Sequence, residues 1–179
     1  MKKIEERVII PTINGLQKEG LDYRGFIFLG FMIENDEPYM IEYNCRMGDP
    51  ETEVVMPRLK NDLVELFQAV AEQKLDTIKI ETDERTVCTV VAVSGGYPGD
   101  YKKGYEIHGL QDINPADSVV YHMGTIIKDG KVVTNGGRVF CVTSYGRSIY
   151  DAVAISKEEI EKITFTGMEY RSDIGYEFD

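Results

Sequence analysis

The chain has 179 residues, a length that suits one ordinary domain or two small ones. Hydrophobic residues make up 42% and charged residues 28%, a composition that folds, while 31 acids against 20 bases leave a net charge of -11. No run of lysines or arginines supplies the surface that neutralises a phosphate backbone, so nucleic acid and anionic membranes are excluded as expected partners. The longest nearly apolar run, Val87 to Val93, is far too short to cross a bilayer, and Met1-Lys2-Lys3-Ile4-Glu5-Glu6 lacks the apolar region of a secretory signal; a cytoplasmic protein is expected. Cys45, Cys88 and Cys141 are odd in number and widely spaced, which fits reduced and mostly buried thiols better than a disulfide framework or a zinc site.

From residue 2 to residue 19, Ile4, Val8, Ile13 and Leu16 recur at helical spacing, with Gly20 as the stop and Pro11 kinking the helix or beginning its second part. Phe26 to Ile33 reads as a buried strand, Asn35-Asp36-Glu37-Pro38 as a turn and Tyr39 to Asn44 as the second strand of a hairpin. Asp49 is a candidate N-cap with Pro50 at the first helical position, and a further helix over roughly 62–74 carries Leu63, Leu66, Phe67 and Val70 on one face. Beyond Thr82 strands dominate: Thr86 to Ser94, Val119 to Ile127, Lys131 to Thr134 and Arg138 to Thr143, with Asp129-Gly130 as a hairpin signal. Helical spacing returns from Arg147 to Ile163, and the tail reads as irregular. The expected fold class is α+β, divided at residue 82 into a part of strands packed by helices (1–82) and a small, mostly β part with one helix (83–179).

The stretch Glu42-Tyr43-Asn44-Cys45-Arg46-Met47-Gly48-Asp49-Pro50-Glu51-Thr52 carries the clearest chemistry. Alternate side chains of a strand share a face, so Glu42 and Asn44 project together with Cα atoms about 6.6 Å apart. A carboxylate with an amide carbonyl suits Mg²⁺, which keeps waters and takes its remaining oxygens from substrate phosphates. Arg46 follows on the same face if the strand continues, where a guanidinium could hold a phosphate or carboxylate oxygen. The bland alternatives are an exposed hairpin face for Glu42 and Asn44, a surface ion pair for Arg46 and a plain helix cap for Asp49 to Glu51. Ser94-Gly95-Gly96-Tyr97-Pro98-Gly99, followed by Lys102 and Lys103, is a glycine-rich loop after a strand; it can let backbone approach a phosphate or be an irregular turn, and it lacks the ending of a P-loop. His108 and His122 have no ligand-spaced partners.

The Glu42 to Thr52 stretch resembles the signature of the phosphoribosylamine-glycine ligase (glycinamide ribonucleotide synthetase) family of ATP-grasp enzymes. So do, in the same order, Pro11-Thr12 to Gly20, the strand through Gly30, Ser94 to Gly99, His122-Met123-Gly124-Thr125, Thr134 to Val139 and Gly167-Met168-Glu169-Tyr170-Arg171-Ser172-Asp173-Ile174-Gly175. The resemblance covers nearly the whole chain. It implies that residues 1–82 are the C-terminal half of an ATP-grasp catalytic domain and residues 83–179 the C-terminal domain, and that the partner of this chain is the missing N-terminal part of the same protein, family members being more than twice as long.

The reaction so implied joins glycine to 5-phosphoribosylamine with ATP as co-substrate, through glycyl phosphate, giving glycinamide ribonucleotide, ADP and phosphate in purine biosynthesis. Glu42 and Asn44 match the family's metal ligands for Mg²⁺ (Mn²⁺ as an alternative). Arg46 is assigned a catalytic role on the phosphoryl group or the glycine carboxylate, and Asp49, Glu51, Gly95, Gly96 and Tyr97 are assigned to substrate binding. Many ATP-grasp enzymes place a further acid on the preceding strand, whereas Phe26 to Ile33 contains none. The rival expectations are another ATP-grasp carboxylate-amine ligase and a catalytically silent binding or structural module; the fragment alone is expected to be inactive.

Overall fold

A hairpin of two antiparallel strands, β1 (Phe28–Glu34) and β2 (Glu37–Asn44), forms the centre of the first of two units in a computed structural model that describes residues 1–178. This unit comprises Met1–Asp49 and Asn61–Glu81. Its turn is Asn35-Asp36, both at positive φ (51° and 60°), so Glu37 and Pro38 belong to β2 rather than to the turn. The preceding helix runs as α1 (Lys2–Ile4), a π-helical turn (Glu5–Ile9) and α2 (Ile10–Lys18). Pro11 has no N–H to give to the turn before it, and the ladder widens there: Ile10 N–H reaches back to the Glu5 carbonyl. The helix ends with Leu21 N–H on Leu16 O and Gly20 N–H on Gln17 O, the paired bonds of a Schellman motif. Lys3 and Arg7 both hold the Glu37 carboxylate at 2.5 Å, tying helix to hairpin. In α4 (Leu63–Ala71), Asp62 caps by accepting from Val64 and Glu65 N–H, and the helix closes on Gln73 at φ +58°.

The second unit comprises Pro50–Lys60 and the chain from Thr82 onward. Its sheet has the order β4 (Ser118–His122), β7 (Arg138–Gly146), β3 (Thr86–Ser94), β8 (Met168–Glu169), all neighbours antiparallel. Period-two alternation buries Cys88, Val90, Ala92 and Ser94 of β3, and the apolar ones pack with Phe140 and Val142 of β7 and with Ala152 and Ile160 of α5 (Ile149–Ile160). Phe140 meets Phe165 edge to face at 6.1 Å. A separate hairpin, β5 (Thr125–Lys128) with β6 (Lys131–Thr134), turns on Asp129-Gly130 at φ 51° and 76°, as its sequence predicts. The strand expected over Val119 to Ile127 is instead two, broken at Met123-Gly124, where both amides bond to the Val139 carbonyl.

The excursion Pro50–Lys60 is fastened to this unit. Tyr145 donates its hydroxyl to the Pro57 carbonyl at 2.7 Å, and Arg58 and Asp83 exchange bonds of 3.0 and 2.6 Å through Arg58 Nε and the two backbones. Arg85 lies over the Tyr145 ring at 4.1 Å and, through its hydrogen bonds, holds the Asp83 carboxyl far below the usual carboxylate range. Among the described residues, no helix is long and apolar enough to cross a membrane.

Candidate functional site

In the first unit, β2 carries Glu42 and Asn44 on one face, opposite Gly30 and Phe28 of β1. The register slips between Gly30 and Phe31: Phe31 pairs with Met40 and Gly30 with Glu42, leaving Ile41 as the extra residue of a β-bulge. The bulge puts Met40 on the opposite face from Glu42 and Asn44, so the two oxygen donors project without it. Gly30 is required by the same geometry, since a Cβ there would lie 2.9 Å from Glu42 Cγ. A glycine inside an otherwise apolar strand was the one sequence sign of this close approach.

The Asn44 amide nitrogen is buried with no hydrogen-bond partner. A buried amide not used by the protein is costly unless something else engages the group, and O and N exchange places by a simple flip. Together with the exposed Glu42 carboxylate it makes a two-donor oxygen site. Among the described residues, no group of three or more His, Cys, Asp or Glu forms a cage. This donor set fits Mg²⁺, which needs few protein ligands when phosphates and water supply the rest, and does not fit a closed zinc or calcium site.

Arg46 departs from expectation. The strand ends at Asn44, the chain bends at Cys45 and Arg46, and the exposed Arg46 guanidinium donates to the Met47 carbonyl at 2.9 Å rather than continuing the Glu42–Asn44 face. The helix after Gly48 also starts later than expected: α3 is Thr52–Val55, with Glu51 rather than Asp49 in the cap position and no side-chain cap bond. Its four residues build no anion site at their N-terminus. Asp49 is exposed in the turn that ends the first unit, and Glu51 is exposed in the second.

Gly95, Gly96 and Tyr97 come together in the second unit, where the glycine-rich loop is bonded internally. Gly95 N–H goes to Gly167 O at 2.7 Å, Ser94 N–H to Gly137 O at 2.8 Å, Ser94 Oγ to Gly136 O at 2.8 Å and Tyr97 N–H to Ser94 O at 3.0 Å. The Tyr97 ring lies so close to Gly137 that a Cβ there would sit 2.1 Å from it. The loop is therefore stiff, and the Gly95 amide is spent within the protein. A cavity of about 340 Å³ beside it is lined by Gly95, Asp100, Tyr101, Lys102 and Thr166 among others. His108 and His122 are exposed, and the His122 ring is paired with the Thr125 hydroxyl at 3.0 Å. Cys45 is exposed, whereas Cys88 and Cys141 are buried free thiols.

Two family models match the chain: Phosphoribosylglycinamide synthetase, C domain, over residues 87–177, and Phosphoribosylglycinamide synthetase, ATP-grasp (A) domain, over residues 1–52. A phosphoribosylamine–glycine ligase of Caldanaerobacter subterraneus subsp. tengcongensis is 45% identical over 174 residues, which cover 97% of this chain and 41% of that protein. The trifunctional purine biosynthetic protein adenosine-3 of Gallus gallus is 45% identical over 175 residues, 97% of this chain and 17% of that one. Among solved structures, a phosphoribosylamine–glycine ligase from Thermotoga maritima superposes with a TM-score of 0.76 at 38% identity, covering 96% of this chain and 42% of that chain. A biotin carboxylase from Campylobacter jejuni, at 15% identity and a TM-score of 0.64 over 95% of this chain and 38% of its own, is alike in fold alone. The chain spans about two fifths of the length of the single-function ligases it matches.

Proposed function

The chain belongs to the phosphoribosylglycinamide synthetase family, and from that premise we propose that it is the C-terminal portion of a cytoplasmic phosphoribosylamine–glycine ligase. The observation that carries the reading is the Glu42–Asn44 pair: a carboxylate and an otherwise unpartnered buried amide, projected from one strand face by a bulge and a facing glycine.

In the proposed reaction a glycine carboxylate oxygen attacks the γ-phosphorus of ATP and ADP leaves. The amine of 5-phosphoribosylamine then attacks the acyl carbon of glycyl phosphate, loses a proton and expels phosphate. Neither step asks for a protein nucleophile; both ask for positioning and charge neutralisation. Glu42 and Asn44 would hold Mg²⁺, which when bound neutralises the charge of the nucleotide phosphates. Arg46, exposed just past the end of the strand, would leave its bond to the Met47 carbonyl to meet the transferring phosphoryl group or the glycine carboxylate. Asp49 and Glu51 orient the acceptor side, and the stiff loop of Gly95, Gly96 and Tyr97 supplies a fixed wall for the acceptor. The macromolecular partner is the remainder of the same ligase. Apolar side chains left exposed on both faces of the hairpin support that assignment, with Met32, Ile33, Tyr39 and Ile41 each more than half exposed.

The test supplies the missing N-terminal part and measures glycine-dependent ADP formation with phosphoribosylamine. Activity is expected only when both parts are present, and Glu42→Gln should lower turnover on the order of 100-fold or more with the fold intact. An unchanged rate would remove Glu42 from the metal site. Acceptance of other amino acids in place of glycine would favour a different carboxylate–amine ligase.

A further inference from the structure

Glu51 stands at one end of a short helical piece whose other end is gripped from outside. From Glu51 the chain runs through α3 and, without a break, into a 3-10 turn (Met56–Arg58) that stops where Leu59 becomes extended. Val55 N–H bonds the Glu51 carbonyl at 3.1 Å and Leu59 N–H bonds the Met56 carbonyl at 3.1 Å, which joins these turns into one piece about 10 Å long. A helix this short has little stability of its own, so its orientation is set by what holds it.

The grip closes on itself. Tyr145 of β7 donates its hydroxyl to the Pro57 carbonyl at 2.7 Å. The next residue, Arg58, gives Nε to the Asp83 carbonyl at 3.0 Å and accepts the Asp83 N–H on its own carbonyl at 2.6 Å, while Leu59 bridges to Thr82. The Asp83 carboxylate in turn holds the Arg85 guanidinium through bonds of 2.9, 3.1 and 3.3 Å, and Arg85 lies over the Tyr145 ring, 4.1 Å from its centre. Asp83 is thus tied to the helical piece by two routes, one through backbone and one through Arg85 and Tyr145. A tyrosine held at its ring as well as at its hydroxyl keeps the Pro57 carbonyl in place.

Tyr145, Arg58, Asp83 and Arg85 are none of them candidate site residues; what they hold is the segment that begins at Glu51. The Glu51 side chain makes no cap bond and stands in solvent, so its position follows its backbone. We propose that Tyr145 is a positioning residue for the amine-joining step: by pinning Pro57 it fixes the helical piece that carries Glu51, and so sets where that carboxylate meets the amine substrate. A displacement of about 1 Å at a group that orients a reactant can cost on the order of 100-fold. The role of Glu51 rests on the ligase reading above, and the pinning rests on the contacts around Tyr145 alone.

The experiment is a double-mutant cycle of Tyr145→Phe with Glu51→Gln, in the chain paired with the N-terminal part of a full-length relative. Tyr145→Phe removes the hydroxyl and keeps the ring under Arg85. It should raise the KM for phosphoribosylamine about tenfold, the effect of one lost hydrogen bond, with the KM values for ATP and glycine unchanged. In the Glu51→Gln background the same change should have no further effect on that KM, because Tyr145 acts through Glu51. Asp83→Asn, which weakens the hold on Arg85, should move the amine KM in the same direction by less. In the chain alone, exchange of the Val55 and Leu59 amides should quicken in Tyr145→Phe while β3 and β7 exchange as in the parent, which shows that the fold is kept. An equal rise in amine KM with and without Glu51 would overturn the positioning role, and so would a loss of kcat with every KM at its parent value, since a purely structural residue acts that way. If the parent pair is active and Tyr145→Phe matches it, the positioning role alone falls. If the parent pair forms no ADP with glycine and phosphoribosylamine, the ligase reading falls and takes the positioning role with it.

Discussion

The two units put their apolar side chains to different use. In the second, Val139, Phe140, Val142, Ala152 and Ile160 are fully enclosed, and a four-stranded sheet with a helix on one face gives each strand a partner and a cover. In the first, Leu66 and Ala69 are the buried apolar residues among those described, while Ile10, Ile13, Met32, Ile33, Tyr39, Ile41 and Tyr43 stand in solvent. A lone two-stranded hairpin is marginal in water, and exposed apolar side chains in such number are the mark of an interaction surface. The second unit thus has an enclosed core of its own, and the first is held locally by caps, a clamp of Lys3 and Arg7 on Glu37, and a turn of two αL residues.

Truncation separates the two most sharply. Phe140→Ala should cost the second unit about 3–5 kcal/mol, because it empties a fully enclosed site; Ile41→Ala, at a side chain 61% exposed, should change stability by less than about 0.5 kcal/mol in this chain. Urea titration monitored separately in each unit checks both, and equal effects would break the contrast. Next comes the buried Ser118–Ser144 hydroxyl pair at 2.8 Å. Ser144→Ala leaves Ser118 without its partner and should cost about 1–3 kcal/mol, with the double alanine variant recovering part of the loss.

Thiols sharpen the same comparison. Cys45 should react with a thiol reagent at the rate of an exposed cysteine, while Cys88 and Cys141 stay protected until the second unit unfolds. Burial pushes both buried thiols above their ordinary value, with Glu53 adding to the rise at Cys141. The folded state therefore keeps these protons longer than the unfolded chain does. Their contribution is fully present below the ordinary cysteine value of about 8.5 and is lost as pH rises toward the folded values. Denaturation curves of the second unit between neutral and alkaline pH check this. The smallest effect belongs to the first unit: Gln73 ends α4 in the left-handed region, and Gln73→Gly should protect that helix from hydrogen exchange by up to about 1 kcal/mol.

Local chemistry was legible in the sequence wherever it acts alone. Asn35-Asp36 and Asp129-Gly130 made their hairpins, and Thr86 to Ser94 spelled a half-buried strand by alternation. The Glu42–Asn44 face was legible for the same reason. What depends on a distant partner was not. Met168–Glu169 is too short to carry a pattern and is a strand only because Val93 and Ser94 pair with it. Nothing in composition marks Pro50–Lys60 as fastened to Tyr145 and Asp83, and the bend that turns Arg46 off the strand face is invisible to a period-two reading. A cavity lined by Arg171 is assembled from β3, β8 and the tail, segments no spacing rule connects.

Hydrogen exchange across the chain, alone and with the N-terminal part of a full-length relative added, tests the contrast between the units most directly. The account predicts slow exchange in β3, β7 and α5 from the start, fast exchange in β1 and β2 of the chain alone, and protection of that hairpin once the added part is present. Slow exchange of β1 and β2 in the chain alone, unchanged on addition, would mean that the first unit is a finished domain and would contradict the account.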